Sequence, residues 1–311
     1  MNVQPKIAVL LSTYNGAKFL VEQIDSLLLQ SHNNFILVVR DDGSKDRTVS
    51  ILEDYVQQHG DRIHLLPSDG NNLGASGGFA FLIDYVLKNK ESLGLDSAYM
   101  MFCDQDDTWF PDKIETQLVA MLKAEEQAQS AIPVLVHSDL EVVSEQNSLI
   151  AKSLIHYQGL EIQRNRFPNL VISNLVTGCT ALINQALAEK ALPIPADAIM
   201  HDWWLALVAT AFGQLVYLDA PLVHYRQHDN NTIGAKEFTK VSAVNIALWR
   251  RLLVRKPNAH LSEVSVQAGA FRRRYASELT ARQRYSLRIC GWMGIEIGIV
   301  QRIMYRLARR F

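Results

Sequence analysis

The sequence predicts an α/β protein with a Rossmann-like, mostly parallel sheet flanked by helices, followed by a helical, basic C-terminal extension. Short apolar runs alternate with amphipathic segments through the first half of the 311 residues. These runs are continuous rather than alternating, which is typical of parallel strands covered on both faces. Beyond residue 240, apolar residues recur at helical spacing among arginines. We therefore predict one domain over residues 1–239 and a helical basic region over residues 240–311.

In the first half, each predicted strand is an apolar run, and helices are predicted between these runs. The strands are KIAVLLST (6–13), FILVVR (35–40), RIHLL (62–66), AYMMFC (98–103) and VLVHS (134–138). Apolar residues at helical spacing predict helices within 19–28, within 49–56, from the turn-rich segment 69–78 to Leu87, and from Pro111 to about Gln127. Proline suits a first helical position because its missing N–H would have no partner there.

The second half has a looser pattern. Strand pieces are predicted within 174–184, at 214–219 and at 222–226, with a helix at HDWWLALVATAFG (201–213). The C-terminal helices are predicted at 244–254, over a long segment from Leu261 to Arg288, and at 294–311.

Charge is divided unevenly along the chain. The formal net charge is −1, yet residues 245–311 hold 14 Lys and Arg against 3 Asp and Glu, and the remainder holds 17 against 29. Such a tail indicates an anionic partner, either a membrane surface or nucleic acid. Its arginines interleave with apolar residues such as Trp249 and Trp292, and no nucleic-acid-binding motif is present. We expect that the protein has no nucleic-acid partner. We favour binding of the tail to a membrane surface over its packing on the domain or in a dimer interface, and we leave the oligomeric state open.

Cysteine content and hydropathy indicate the cellular compartment of the protein. Cys103, Cys179 and Cys290 have no metal-type spacing and fit a reducing environment. The N-terminal apolar run is too short for a secretory signal, and no run reaches the roughly 18 apolar residues of a spanning helix. We expect a cytoplasmic protein, with peripheral association at the cytoplasmic face of the inner membrane as a further expectation from the tail.

Polar loops follow three of the predicted strands. TYNG follows the first strand, DDGS the second, and DQDD the strand at 98–103, so these loops are expected to meet at one edge of the sheet. In DQDD, two carboxylates about 4 Å apart repel by roughly 1 kcal/mol in water and about 4 kcal/mol at an effective dielectric of 20. A proton or a cation relieves this repulsion, and oxygen ligands suit Mg²⁺ or Mn²⁺. The alternatives are a solvated acidic turn for DQDD, and a turn with a helix cap for DDGS.

The order of these motifs resembles family-2 glycosyltransferases with the GT-A fold. The resemblance covers residues 6 to about 120 through AVLLSTYNGAKFLVEQIDSLLLQSH, LVVRDDGSKDRT, NLGASGGF and CDQDDTWFPDKI. VTGCTALIN, HDWWLALVA and HYRQHDNNTIG extend it, and HDWW with YRQH is most similar to the bacterial rhamnosyltransferase branch. The resemblance implies metal-dependent inverting transfer of a sugar, first of all rhamnose from dTDP-rhamnose. The implied acceptor is a hydroxyl of a lipid-linked surface polysaccharide, a polyprenyl-linked oligosaccharide.

The resemblance also implies a role for individual residues. The part of the nucleotide site that holds base and ribose would comprise Ser12, Thr13, Tyr14 and Asp42. Asp104 would face the ribose and the metal, Asp106 would ligate the ion, and the extra carboxylate Asp107 could share either role. Asp202 matches the catalytic base, which an inverting transfer requires in order to deprotonate the acceptor hydroxyl. His228 is a further candidate metal or phosphate contact.

Other interpretations of these residues stay open. Trp203 and Trp204 are either core residues or a platform for a sugar, and His201, His224 and Arg226 rank lower as site residues. A metal-dependent phosphohydrolase or nucleotidyltransferase could use the same acidic loop, but the sequence lacks a nucleophile motif and a triphosphate-binding loop. A catalytically silent glycan- or membrane-binding module is the third possibility.

Overall fold

A single mixed sheet organises the protein. The computed structural model describes residues 4–68, 70–128, 130–228, 258–295 and 297–310. Within these residues the strands are β1 (Ile7–Thr13), β2 (Phe35–Asp41), β3 (Ile63–Leu65), β4 (Tyr99–Cys103), β5 (Thr108–Trp109), β6 (Val134–Ser144), β7 (Leu149–Ala151), β8 (Ala181–Ile183) and β9 (Gln214–Gln227). Their order is β3-β2-β1-β4-β8-β6-β9-β5, with β7 paired to β6.

Strand direction changes across the sheet. The strands β1 to β4 pair in parallel, as the apolar runs of the first half predict. The short strand β8 then lies antiparallel to both β4 and β6, while β6 and β9 are parallel. The predicted fold class is confirmed, and within the described residues the antiparallel pairs are β4–β8, β6–β8, β6–β7 and β5–β9.

Helices cover both faces of the sheet. Their bounds are α1 (Leu20–Leu28), α2 (Thr48–His59), α3 (Gly74–Lys88), α4 (Lys113–Ala128), α5 (Leu154–Gln158), α6 (Phe167–Leu170), α7 (Gln185–Ala191), α8 (His201–Phe212), α9 (Ala259–Arg274), α10 (Ala281–Gly291) and α11 (Gly298–Ala308). Because strand side chains alternate between faces, Val9 packs in the core beneath α1 and α4, whereas Leu10 packs in the core beneath α3 and α8.

The prediction of two separate strands at 214–219 and 222–226 is wrong. They form one strand, β9, whose pairing with β6 shifts register between the Ser138–Leu218 pair and the Asp139–Pro221 pair. The extra residues form a bulge, which accommodates a proline that has no N–H for the ladder.

The long helix predicted from Leu261 to Arg288 is also wrong, because the chain breaks into α9 and α10. The side chain of Thr280 accepts a hydrogen bond from the backbone N–H of Gln283, and Gln283 Oε1 accepts one from the backbone N–H of Thr280. This capping box starts a new helix. The helix predicted from Pro111 begins two residues later, at Lys113. The helix predicted at 244–254 and the boundary at 239 lie outside the described residues.

The described C-terminal helices pack on the body of the protein. Phe271 of α9 is fully buried, with its ring centroid 5.2 Å from that of Trp204 and 5.3 Å from that of Phe167. These helices therefore complete the core on one side of the sheet. No helix in the described ranges is long and apolar enough to cross a bilayer.

Candidate active site

A cavity of about 840 Å³ opens where the loops after β1, β2 and β4 meet the start of α8. It lies beyond the carboxyl ends of parallel strands, where α/β sheets bind ligands. Of the nine residues to which the family resemblance gives a role, seven line it, namely Ser12, Thr13, Tyr14, Asp42, Asp104, Asp106 and Asp202, whereas Asp107 and His228 are not among its lining residues. The structure therefore brings together residues that are up to 190 positions apart in the sequence.

The loop after β1 is held against the acidic loop by Gln105. The Gln105 side chain accepts a hydrogen bond from the Tyr14 N–H at 2.9 Å and donates one to the Tyr14 carbonyl at 3.1 Å. A Cβ atom on Gly16 would collide with Gln105 Oε1, so a larger residue at position 16 would displace the Gln105 amide. The sequence interpretation assigned Gln105 no role, since an amide between aspartates gives no signal of its partner.

The two aspartates of DDGS have different surroundings. Asp41 accepts hydrogen bonds from the Thr13 hydroxyl and from the backbone N–H groups of Gly43 and Ser44, at 2.9, 3.1 and 2.8 Å. The turn interpretation therefore describes Asp41, whose carboxylate organises the loop.

Asp42 faces the cavity. Its Oδ2 atom accepts a hydrogen bond from the Leu73 N–H at 2.9 Å, and its Oδ1 atom lies 3.3 Å from the buried guanidinium of Arg40. Burial raises the pKa of Asp42, while the Arg40 charge opposes that rise. Asp42 is thus held in place on one side and open to a ligand on the other.

The acidic loop concentrates charge beside β4. Burial, and then the neighbouring charges of Asp106 and Asp202, raise the pKa of Asp104 to about 7. Asp107 is fully buried, and burial together with the charges of Asp106 and Asp104 raises its pKa well above the ordinary value. Ligand atoms of Asp104, Asp107 and Cys179 lie within 4.8 Å of one another. Carboxyls placed this close together favour a proton or a cation among them.

Arg226, at the end of β9, anchors this loop. Its backbone N–H donates to Asp107 Oδ1 at 3.1 Å, and its guanidinium donates to the Asp106 carbonyl at 2.9 Å. The same guanidinium donates to the Glu145 carbonyl at 3.0 Å and to Glu22 Oε2 at 2.6 Å. The sequence interpretation ranked Arg226 low, although a charged residue ending an apolar run was an available signal.

His228 lies against the same loop. Its Nε2 atom is 2.8 Å from Asp106 Oδ2, and its ring packs on Phe19 with the centroids 5.0 Å apart. The structure therefore places His228 beside Asp106, although His228 is 122 residues further along the chain.

Asp202 is the second residue of α8 and is 8% exposed, on the cavity wall. Burial raises its pKa to about 7, while hydrogen bonds from the backbone N–H groups of Trp203 and Gly178 and from the Asn174 side chain act in the opposite direction. The N-terminus of the helix also favours the carboxylate form. A carboxyl with a pKa near neutrality is suited to accept a proton at physiological pH.

The two tryptophans next to Asp202 have different surroundings. Trp204 is fully buried and donates from its indole N–H to the Ala191 carbonyl, so it belongs to the core. Trp203 is 4% exposed, lies on the cavity wall, and donates from its indole N–H to the Leu170 carbonyl at 2.6 Å. His201 also lines the cavity, packed against the ring of Phe79 at 4.4 Å between centroids.

The donor atoms at the acidic loop fit a hard divalent cation. Asp104 and Asp106 offer carboxylate oxygens and His228 an imidazole nitrogen, atom types that suit Mn²⁺ or Mg²⁺. In this structure His228 Nε2 is paired with Asp106 Oδ2, and among the described residues the ligand atoms already within 4.8 Å of one another belong to Asp104, Asp107 and Cys179. Cys179 is a poor ligand in comparison, because burial raises the pKa of its thiol and keeps it protonated. A bound cation would also relieve the mutual repulsion of the carboxylates.

Comparison with known proteins shows what the chain is similar to. Residues 8–190 match the family model described as Glycosyl transferase family 2. Over 261 residues the chain is 30% identical to the dTDP-rhamnosyl transferase RfbG of Shigella flexneri, covering 79% of this chain and 81% of that protein.

Two solved structures share the fold. The mannosyltransferase PcManGT of Pyrobaculum calidifontis, in complex with GDP-Man and Mn²⁺, superposes with a TM-score of 0.56 at 14% identity, covering 99% of this chain and 76% of that one. TarS 1–349 of S. aureus, in complex with UDP, gives a TM-score of 0.52 at 14% identity, covering 91% and 69%.

Proposed function

Because the chain belongs to glycosyl transferase family 2, we propose that it transfers a sugar from a nucleotide-sugar donor to an acceptor hydroxyl with inversion at the anomeric carbon. The proposed donor is dTDP-rhamnose, supported by the identity with RfbG over four fifths of both chains. The proposed acceptor is a polyprenyl-linked oligosaccharide of a surface polysaccharide, which peripheral association with a membrane would bring within reach.

One observation carries this proposal. Asp202 and the acidic loop, with Asp104 and Asp106, line the same cavity of about 840 Å³. A carboxyl with a pKa near 7 thus lines the same cavity as a cluster of carboxylates. The first can take a proton from an acceptor, and the second can hold a cation that binds a diphosphate, so the two halves of a transfer reaction share one site.

The chemical step needs a single base. Asp202 accepts the proton of the acceptor hydroxyl as that oxygen attacks the anomeric carbon. The bond from the anomeric carbon to the diphosphate oxygen breaks, and its electron pair leaves with the nucleoside diphosphate. The products are a glycoside of inverted configuration, a nucleoside diphosphate and a proton, which balances the reaction without a covalent intermediate.

The donor side is held by residues of the first half. Ser12, Thr13, Tyr14 and Asp42 would bind base and ribose, with an Asp42 oxygen as acceptor for a nucleobase N–H. Asp104, Asp106 and His228 would hold Mg²⁺ or Mn²⁺, which when bound stabilises the negative charge that develops on the leaving diphosphate. Arg226 positions the loop that carries these ligands.

A thermal-shift panel of UDP-, GDP- and dTDP-sugars, each with and without Mn²⁺, tests the donor assignment. The expected result is a selective, Mn²⁺-dependent increase in melting temperature with dTDP-rhamnose. A second experiment measures transfer of the sugar to a polyprenyl-linked oligosaccharide, and NMR determines the anomeric configuration of the product. A product that retains the donor configuration, or hydrolysis of nucleotide alone without transfer, would contradict the proposal.

A further inference from the structure

The C-terminal helices present a face that is both apolar and basic. On α10 and the turn after it, Tyr285, Arg288 and Trp292 are spaced three and four residues apart, so they share one side of the helix. Tyr285 is 56% exposed and Trp292 is 60% exposed. Large aromatic side chains with more than half of their surface in water are uncommon on a packed helix, and arginine lies between them.

The turn and the helix that follow also expose apolar and basic side chains. Ile295 and Ile297 are 44% and 54% exposed in the connection between α10 and α11. On α11 and in the turn that ends it, Ile303, Arg306, Leu307 and Arg310 recur at helical spacing and are all exposed. The opposite side of α11 is buried at Gln301 and Ala308, and this side docks the helix on the described part of the protein. We call the exposed residues of α10, the turn and α11 the basic apolar face.

The charge of this segment is strongly one-sided. Residues 281–310 contain seven arginines and a single acidic residue, Glu296. A two-fold contact between copies of the chain would bring the same arginines together, and juxtaposed like charges oppose association. An anionic surface has no such penalty.

We infer that the basic apolar face binds the surface of an anionic lipid bilayer. Basic amphipathic helices with Trp, Tyr and Ile on the same face lie at the boundary between headgroups and acyl chains, where anionic lipids attract the arginines. Trp292, Ile295 and Ile297 insert, and Arg288, Arg306 and Arg310 contact phosphate groups. The proposed contact is peripheral, at the level of the headgroups.

The buried side of α11 is hydrogen-bonded to a helix that contributes to the wall of the cavity. The buried Gln301 of α11 accepts a hydrogen bond from the Asn258 N–H at 2.8 Å and donates one to the Met293 carbonyl at 2.9 Å. It thereby joins α11, the turn and the start of α9, whose first turns bring His260 and Glu263 to the cavity. Binding of this face to a bilayer would hold the protein at the membrane surface, which suits a lipid-linked acceptor; this consequence, unlike the docking itself, rests on the proposed function.

Co-sedimentation of the full chain with vesicles tests the inference. One vesicle set is phosphatidylcholine alone and the other is phosphatidylcholine and phosphatidylglycerol in equal parts. The apolar variant combines Trp292→Ser, Ile295→Ser and Ile297→Ser, and the charge variant combines Arg306→Glu and Arg310→Glu. The control combines Val119→Ser and Leu122→Ser, which are 61% and 39% exposed on α4. Melting temperature and Mn²⁺-dependent nucleotide binding are measured for every variant.

Wild type and control are expected to bind the anionic vesicles and to bind phosphatidylcholine weakly. The apolar variant should bind at least ~10-fold more weakly, and the charge variant at least ~25-fold more weakly, since each arginine contributes about fivefold. Unchanged vesicle binding in both variants would overturn the inference. It would also be overturned if the wild type were a dimer, and the apolar variant became monomeric but still bound the vesicles, because the face would then be a dimer interface. Vesicle binding without nucleotide binding would instead overturn the proposed function and leave the docking surface intact.

Discussion

The backbone N–H of Arg226 donates to Asp107 Oδ1 at 3.1 Å, joining the end of β9 to the acidic loop 119 residues earlier in the chain. The Arg226 side chain reinforces this link through the Asp106 carbonyl. The acidic loop is therefore held by the second half of the fold as well as by β4. A buried arginine with several acceptors fixes the direction in which the loop carboxylates point.

Replacing Arg226 should loosen the loop and destabilise the protein. Arg226→Met leaves two backbone carbonyls and Glu22 without their donor, and we expect the free energy of unfolding to fall by about 2–4 kcal/mol. Urea denaturation measures this, with the exposed Arg272→Met as a control that should change it by less than about 0.5 kcal/mol. Mn²⁺-dependent nucleotide affinity should fall as well. Equal stability and affinity in Arg226→Met and wild type would show that the anchor is dispensable.

Asp202→Asn should abolish transfer while leaving the donor bound. Loss of a general base lowers the rate by about 10²–10⁴-fold, whereas the amide keeps the shape of the side chain. Steady-state transfer gives the rate, and calorimetric titration with nucleotide gives the affinity. The matched control is Asp197→Asn, because Asp197 is exposed in the loop before α8. A loss of donor affinity as large as the loss of rate would remove the assignment of Asp202 as base.

The pH dependence of transfer should follow the ionisation of Asp202. Burial raises its pKa to about 7, so the proton-accepting form is present above that pH and is lost as the pH falls through it. We expect kcat/KM to decline about tenfold per pH unit on the acid side. Saturating Mn²⁺ keeps the Asp104 carboxyl ionised during the measurement. A profile that stays flat from about pH 6 to 8 is incompatible with this role.

Asp106→Ala should uncouple nucleotide binding from the metal. Asp106 faces the cavity beside His228, so its loss removes a carboxylate from the proposed ligand set. The increase in nucleotide affinity that Mn²⁺ produces in the wild type should disappear in titration calorimetry. Asp112→Ala removes an exposed carboxylate from the segment just before α4 and should keep the metal effect. An unchanged Mn²⁺ titration in Asp106→Ala would exclude Asp106 as a ligand.

Phe271→Ala should destabilise the whole protein in one transition. Phe271 of α9 is fully buried among Phe167, Trp204, Phe212 and Tyr275, and truncation of such an aromatic residue costs about 3–5 kcal/mol. Chemical denaturation followed by both fluorescence and circular dichroism provides the measurement. Two separate transitions, of which only one shifts, would show that the C-terminal helices unfold independently of the domain.

Local patterns in the sequence were enough to predict the first half of the fold. Continuous apolar runs gave the positions of β1, β2 and β4, since burial on both faces requires apolar residues throughout a strand. The polar loops that follow them then had to share one edge of the sheet. The cavity lined by Ser12, Asp42 and Asp104 lies at that edge.

Other features depend on contacts between distant segments, which no local pattern encodes. The insertion of β8 between β4 and β6, the anchoring of the acidic loop by Arg226, and the pairing of Gln105 with Tyr14 all arise in this way. The tail depends on such contacts too: the sequence favoured a membrane surface over packing on the domain, and the structure shows that one side of each described C-terminal helix is part of the core. By itself, the sequence determined which segments form strands and helices and which loops carry the polar groups, because hydrophobic periodicity is local. Only the tertiary structure decided which polar groups meet and which side of each C-terminal helix is buried, because hydrogen bonds and packing join residues a hundred or more positions apart.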